Sequence, residues 1–337
     1  MKPTDFAIRL TSFLGEYLPA QRNVSPNTIK AYRDAFTLLL RYCRDQLGLQ
    51  PERVTLDQIE PSLVLAFLDY LENERTCGTR TRNHRLSVLH AFFRYLQSEE
   101  PDRMVQCQKI LAIPLQRCAR PTVDYLSKEE LAVILAQPDL TTTWGRRDAV
   151  LLSVLYDTGA RVQEVVDLSV RDVRLDSPAQ IRLTGKGRKT RLVPLLTGTV
   201  ALLAEYMREH RLDRPERMYA PLFCNRRGER MSRSGVRYIL AKHTENARQV
   251  SPGLPRRITP HTTRHSKAMH LLQAGNPAPC IQAILGHADI RSTDIYARAD
   301  MDMKRRALEK ASETGDPSAK LSGWQNNKDL MDWLRSL

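Results

Sequence analysis

Six residues in the second half of the chain have the side chains that phosphoryl transfer to a tyrosine requires. A tyrosine hydroxyl can attack phosphorus and form a covalent bond. The negative charge that develops on the phosphate oxygens needs cationic and hydrogen-bonding donors around it. Each residue also has an ordinary structural interpretation, so the argument rests on their order and on the residues beside them. In chain order they are Arg161, Lys186, His261, Arg264, His287 and Tyr296.

Arg161 follows a glycine that interrupts an apolar helix predicted over Ala149–Tyr156. An arginine just past such a break can point into a cleft. Glu164 lies one helical turn further on, where its carboxylate can hold the guanidinium. The alternative is an ordinary surface ion pair.

Lys186 lies between Gly185 and Gly187, which allow a backbone to approach a ligand closely. Its ammonium group can donate a proton or contact a phosphate. The nucleotide-binding motif G-x-x-x-x-G-K-[ST] is absent from the sequence, which excludes a P-loop. The alternative is a solvated basic turn.

His261 and Arg264 are three residues apart at a predicted helix N-terminus, so they face the same way. The helix end adds positive potential and free N–H groups, which suit a phosphate. His261 and His265 have the i, i+4 spacing of zinc ligands. The H-E-x-x-H glutamate and a third ligand are missing, so we interpret His265 as structural.

His287 follows Leu285-Gly286, a pattern typical of a helix end, and Tyr296 comes nine residues later. This spacing makes a compact unit that carries a histidine and a candidate nucleophile. The alternative for Tyr296 is a half-buried tyrosine of an ordinary helix.

Together these motifs resemble the tyrosine recombinase (phage integrase) family from about Ser127 to Ala299. The family's Arg…Lys…His-x-x-Arg…His/Trp…Tyr series falls on the six residues above. The sequence segments around these residues also match the family pattern: TGARVQEV, GKGRKTRLVPL, HTTRH, LGH and IYARAD. The chain departs from the family pattern at Lys267 and Ala268, where a bulkier apolar residue is commoner, and at Asp294 beside the tyrosine.

The resemblance implies a mainly α fold with a small antiparallel β-sheet, arranged as a two-domain, C-shaped clamp on duplex DNA. It implies a site-specific recombinase that cuts and rejoins strands through a 3′-phosphotyrosyl intermediate, with no metal, ATP or other cofactor. It also implies double-stranded DNA with an inverted-repeat core site, and a homotetramer, with or without a second recombinase. A type IB topoisomerase and an inactive DNA-binding protein are the alternatives.

The first hundred residues predict four helices. Ser25-Pro26 is a helix start, and apolar residues recur behind it at three- and four-residue steps. Further helices are predicted near Pro61–Asn73 and over Arg80–Gln97, and another before Ser25. The unit looks like the family's core-binding domain.

Periodicity fades between Glu99 and Asp124, where three prolines and several basic residues predict an extended linker. Ser127 and Glu130 then form a capping-box pattern that opens a new helix. We therefore expect a helical core-binding domain over 1–112, a basic linker over 113–124, a catalytic domain over 125–300 and a docking tail over 301–337.

In the catalytic region, alternating residues over Gln180–Thr184 and Thr190–Leu195 predict a β-hairpin around Lys186. Helices are predicted over the segments that follow. These are Ala201–His210, Ser232–Arg248, Thr262–Ala274, Ala278–Leu285 and Ser292–Tyr296. An apolar face in Asn327–Leu337 predicts a short helix, which we expect to dock on a neighbouring protomer or, alternatively, on its own domain.

The net charge of +14 is concentrated between Leu175 and His270, where 20 Lys and Arg stand against 7 Asp and Glu. Such a basic region favours a polyanion. The alternative is a solvated basic face. The residues that we expect to contact DNA are Arg80, Arg82, Arg85, Arg188, Lys189 and Arg191.

No run of eighteen apolar residues occurs, and the N-terminus does not resemble a signal peptide. The six cysteines fit no zinc pattern, so we expect reduced thiols in a cytoplasmic, nucleoid-associated protein. The absence of a further N-terminal module favours a Xer-like or transposon-encoded enzyme over an arm-binding integrase. The recognised DNA sequence is not readable from the chain.

Overall fold

The computed structural model describes residues 2–118 and 124–286. Within these ranges, it describes the backbone of Lys186 but not its side chain. The chain divides into two compact units, Met1–Pro121 and Thr122–Leu337, and each is described by itself. His287, Asp294, Tyr296 and the predicted tail helix lie outside the described residues.

The first unit is helical, as the periodicity predicts. The second predicted helix begins at the N-cap Ser25, whose hydroxyl accepts from the backbone N–H of Thr28, and it ends at the left-handed Gly48. The helix over Asp5–Ser12 continues into a π-helical segment over Phe13–Gln21. The helices are α1 Asp5–Ser12, α2 Pro26–Leu47, α3 Pro61–Asn73, α4 Thr79–Glu99 and α5 Met104–Leu111.

Aromatic rings form the centre of this unit. Phe36 of α2 and Phe92 of α4 meet edge to face with their ring centroids 5.2 Å apart. Phe13 contacts both rings, with centroids 6.4 Å from Phe36 and 5.3 Å from Phe92. Such pairs stabilise a core beyond the area that they bury. The apolar stripes in the sequence therefore mark this core correctly.

The prediction of an extended linker from Glu99 onward is wrong for its first part, because Met104–Leu111 is a helix. Cys107 and Ile110 of this helix are fully buried in the first unit's core. The apolar stripe of this helix is only two turns long, which is too short to give a clear periodic signal in a sequence next to Pro101. After it, Gln116 is tied to α4 by a reciprocal pair of hydrogen bonds with Asn83.

The second unit is mostly helical with one small antiparallel sheet of order β1-β2-β3. The strands are β1 Val173–Arg174, β2 Gln180–Thr184 and β3 Thr190–Pro194. The helices are α6 Lys128–Leu135, α7 Thr143–Asp157, α8 Val162–Asp167, α9 Thr197–Glu209, α10 Arg233–Val250, α11 Pro260–Gln273 and α12 Ala278–Leu285.

The hairpin prediction is confirmed, since β2 pairs with β3 in the register Thr184↔Thr190 and a 3₁₀ turn over Lys186–Arg188 joins them. The strand β1 was not predicted, because two residues give no alternation to detect. The capping box of Ser127 and Glu130 at the start of α6 is also confirmed.

Buried α7 runs through the centre of the second unit. Four of its apolar residues, Val150, Leu151, Val154 and Leu155, are at most 1% exposed. All six cysteines are free thiols. Among residues 2–118 and 124–286, the structure contains no helix that is long and apolar enough to cross a membrane.

Candidate active site

Arg161 is the N-cap residue of α8, and Glu164 in the first turn holds it at two points. One carboxylate oxygen of Glu164 accepts from the backbone N–H of Arg161, and the other accepts from its Nη1 at 2.9 Å. The Arg161 side chain keeps 35% of its surface exposed, whereas that of Glu164 keeps 2%. The expected pair is therefore confirmed, and it leaves an arginine accessible from solvent.

Glu164 also binds a second arginine, Arg191 of β3. Its Nη1 and Nη2 donate to the two carboxylate oxygens at 3.1 and 2.7 Å. Burial alone would raise the pKa of Glu164, but the hydrogen bonds from Arg191 and Arg161 outweigh it and lower the pKa. One buried carboxylate thus binds two guanidinium groups. Arg191 binds it through two parallel hydrogen bonds, the arrangement in which an arginine binds a carboxylate strongly.

The last turn of α12 accepts hydrogen bonds from three arginines. Arg191 Nε donates to the carbonyl of Ile284 at 2.8 Å, and Arg161 Nη2 donates to that of Gly286 at 3.3 Å. Arg264 Nη2 donates to the carbonyl between them, that of Leu285, at 2.7 Å. Helix C-termini attract cations because their last carbonyls have no intrahelical partner. Three positive charges therefore meet at the three consecutive carbonyls of Ile284, Leu285 and Gly286.

Two glycines allow this close packing. Gly286 has a φ of +65°, and a Cβ there would lie 2.7 Å from Arg191 Nη1. A Cβ on Gly185 would lie 2.8 Å from Glu164 Oε1 and 3.6 Å from Arg161 Nη1. The hairpin turn that carries Lys186 therefore starts directly against the Arg161–Glu164 pair.

His261 and Arg264 lie on the first turns of α11, which begins at the N-cap Thr259. Arg264 is 4% exposed, and its Nη1 donates to the carbonyl of Gly159 at 2.5 Å. Partial desolvation, and then the charges of Arg264, Arg161 and Arg237, lower the pKa of His261. The lowered pKa favours the neutral imidazole, which has a ring nitrogen that can accept a proton.

The predicted DNA contacts divide into two groups. Arg80, Arg188 and Lys189 are exposed. Arg82 is 5% exposed and forms an ion pair with Glu72 at 3.0 Å, and Arg191 forms an ion pair with Glu164. These two arginines therefore hold the protein together instead of lying on an open surface.

Arg85 is half-buried as well, and its Nη1 donates to the carbonyl of Ala31 at 3.4 Å. Charge runs in the sequence do not distinguish such paired arginines from solvated ones.

The sequence interpretation missed a set of polar contacts on α11 beside the site. Ser266 Oγ accepts from the backbone N–H of Leu126 at 2.8 Å, and His270 Nε2 lies 2.9 Å from the Leu126 carbonyl. Tyr156 Oη lies 2.8 Å from His270 Nδ1. A carbonyl only accepts, so Nε2 carries the proton and Tyr156 donates to Nδ1. The i, i+4 spacing of Ser266 and His270 is the signal that could have indicated a shared face.

Comparison with known proteins gives matches in both units of the chain. Residues 124–303 match the family model described as phage integrase family, and residues 10–100 match that of the phage integrase N-terminal SAM-like domain. The chain belongs to the phage integrase family. It is therefore a tyrosine recombinase, an enzyme of site-specific DNA recombination, and the topoisomerase and inactive alternatives are not favoured.

Relatives cover nearly the whole of this integrase-family chain. It is 40% identical over 338 residues to the putative integrase/recombinase y4rC of Sinorhizobium fredii, covering 100% of this chain and 99% of that protein. It is 30% identical to the tyrosine recombinase XerC of Pelotomaculum thermopropionicum, covering 90% and 97%. The fold is similar to that of the XerH site-specific recombinase bound to a palindromic difH substrate, with a TM-score of 0.68, 23% identity and coverage of 90% and 84%.

Proposed function

We propose that this recombinase cuts DNA by attack of Tyr296 on a scissile phosphate. The bond from Tyr296 Oη to phosphorus forms as the bond from phosphorus to the 5′-oxygen breaks, which leaves a 3′-phosphotyrosyl link. Lys186 gives its proton to the leaving 5′-oxygen, and His261 assists removal of the tyrosine proton. A 5′-hydroxyl of another strand then attacks the link and reseals the backbone.

The observation that supports this proposal is the meeting of Arg161, Arg191 and Arg264 at the end of α12. In the sequence, His287 directly follows Gly286, whose carbonyl accepts from Arg161. Arg161 is more exposed to solvent than Arg264, so its guanidinium is suited to bind a non-bridging phosphate oxygen. Arg264 and a hydrogen bond from His287 complete the charge stabilisation that the reaction needs.

The bond energy of the phosphodiester is kept in the covalent link, so the reaction needs neither ATP nor a metal ion. The lowered pKa of His261 keeps its imidazole neutral near pH 7, which is the form that accepts a proton. This supports the role of His261 at the tyrosine.

Replacement of the nucleophile tests the proposal. Tyr296→Phe is expected to abolish covalent protein–DNA adducts on a nicked suicide substrate while duplex binding persists. Tyr238→Phe is the matched control, because this tyrosine of α10 is 71% exposed and has no assigned role. A protease-sensitive adduct formed by Tyr296→Phe would refute the assignment.

The proton donor has its own test. Lys186→Ala should slow cleavage of an ordinary phosphodiester by about 10²–10⁴-fold, the range for general acid catalysis. A 5′-bridging sulfur leaves without protonation, so a phosphorothiolate substrate should restore the rate of this variant. Equal impairment on both substrates would show that Lys186 is not the acid.

For the partners, we propose double-stranded DNA with an inverted-repeat core site, bound in the nucleoid by four copies of the chain. Residues 1–112 would serve as the core-binding domain, 113–124 as a basic linker and 125–300 as the catalytic domain. The tail 301–337 would dock on the neighbouring protomer. Deletion of Asn327–Leu337 should then weaken pairing of two sites more than binding of one. Equal recombination by the truncated protein would contradict this role.

A further inference from the structure

We propose that Lys267 and Asp157 form a positioning pair that sets Arg161 and Arg264 for catalysis, an inference that rests on the proposed function. Lys267 Nζ lies 3.9 Å from Asp157 Oδ1, and both side chains are nearly buried, at 13% and 12% exposure. Lys267 stands at a position where the sequence departs from the family pattern. The pair joins α11, which carries Arg264, to the end of α7, which leads into Arg161.

The surroundings of Lys267 hold its ammonium group in place. It lies 4.8 Å from the centre of the Tyr156 ring, a cation–π distance. Tyr156 is itself fixed by its hydrogen bond to His270, one turn further along α11. Burial lowers the pKa of Lys267, and Asp157 opposes that shift. The lysine is therefore built into the interface between the two helices.

Asp157 is held from the other side. The hydroxyl of Thr199 on α9 donates to the second carboxylate oxygen of Asp157. A carboxylate that is this buried needs its partners, because an unpaired buried charge is costly. Removal of Lys267 alone would leave the buried Asp157 carboxylate without the ammonium group that pairs with it, so the end of α7 would have to rearrange.

The turn after Asp157 transmits such a change to the arginines. A Cβ on Gly159 would lie 3.5 Å from Lys267 Cγ, so the lysine stem packs directly on the turn. The Gly159 carbonyl accepts from Arg264 Nη1, and Arg161 follows two residues later. A displacement of this turn therefore moves a partner of one arginine and the backbone of the other.

Single-turnover cleavage at saturating DNA tests the pair. Lys267→Met should slow adduct formation roughly 10- to 100-fold, the effect of a small misplacement of catalytic groups. Duplex affinity should stay nearly unchanged, because Lys267 is nearly buried and is not one of the proposed DNA contacts. The double variant Lys267→Met with Asp157→Leu removes both charges and should recover most of the lost rate, because an apolar pair can replace a buried ion pair.

Lys242→Met is the matched control, because this half-exposed lysine lies 4.0 Å from another buried aspartate, Asp148, away from the turn. It should leave the cleavage rate unchanged. An unchanged rate in Lys267→Met would overturn the proposal, and so would a double variant as slow as the single one. A loss that only follows the folded fraction, measured by circular dichroism at the assay temperature, would show a merely structural role.

Arginine side-chain N–H resonances in the DNA-free protein separate this inference from the proposed function. Lys267→Met should shift the Nε–H signals of Arg161 and Arg264, and the double variant should return them. If the wild type never forms an adduct while these signals respond, the proposed function fails and the positioning role stands. If adducts form and neither signals nor rate respond to Lys267→Met, the positioning role alone fails.

Discussion

The cores of the two units differ in how much charge they bury. In the first unit the rings of Phe6, Phe13, Phe36 and Phe92 form one continuous aromatic cluster. In the second unit, charged side chains lie among the apolar core. Arg264 and Glu164 are 4% and 3% exposed and bind across elements that are distant in the chain.

This difference follows from what each unit must hold in place. Apolar packing is non-directional and tolerates changes that keep volume, whereas a buried ion pair fixes both distance and angle. An arginine that must meet a phosphate needs such fixing. The buried Glu164 therefore fixes the positions of Arg161 and Arg191. The loss of any one of these three partners should strongly destabilise the second unit.

The largest effect is expected from Glu164→Gln. Two arginines would lose their shared carboxylate, and breaking a buried pair costs about 3–5 kcal/mol. Cleavage should fall by roughly 10²-fold because Arg161 is misplaced. Urea denaturation and single-turnover cleavage measure the two effects. Gln163→Ala, next to it but exposed and bound to Asp167, is the control that should change neither.

Phe92→Ala should destabilise the first unit by about 3–5 kcal/mol, since it removes the ring that Phe36 and Phe13 contact. Phe92→Leu keeps most of the volume and should cost clearly less. Chemical denaturation followed by circular dichroism gives both values. If the two variants were equally stable, the aromatic cluster would not be the main source of stability in this unit.

A smaller effect distinguishes exposed from buried arginines. Arg80→Ala should weaken DNA binding and reduce the slope of log affinity against log salt by about 1, the contribution of one phosphate contact. Arg82→Ala should leave that slope unchanged and lower stability instead, because Arg82 pairs with Glu72. Binding titrations over a range of salt concentrations decide between them, and a reduced slope in Arg82→Ala would restore it as a DNA contact.

The smallest effect concerns pH. Burial lowers the pKa of His270 from its ordinary value of 6.5. The unfolded chain therefore binds the proton first, so this histidine's contribution to stability is full above about pH 6.5 and is lost as the pH falls below it, by up to about 1.4 kcal/mol per pH unit. His270→Gln should flatten the dependence of unfolding free energy on pH in that window. An unchanged slope would mean that His270 is not held neutral in the fold.

Most of the fold could be predicted from the sequence, because periodic apolar residues and helix caps act locally. The start of α2 at Ser25 and the whole of α12 were placed correctly. The short helix Met104–Leu111 and the two-residue strand β1 were missed, since each is too brief to give a periodic pattern.

The site could be predicted only in part. The i, i+3 relation of Arg161 and Glu164 is local, and the structure confirms it. The second arginine on Glu164 comes from 27 residues away, and the pair of Lys267 with Asp157 joins separate helices. No local pattern reports such contacts. For the same reason, paired and unpaired arginines look alike in the sequence.

Peptide mapping of the trapped adduct tests the central claim most directly. The wild-type protein is incubated with a nicked suicide duplex, the adduct is digested, and the DNA-linked peptide is sequenced by mass spectrometry. We predict one modified residue, Tyr296, joined to a 3′-phosphate. A link at another residue, or to a 5′-phosphate, would contradict the proposed chemistry.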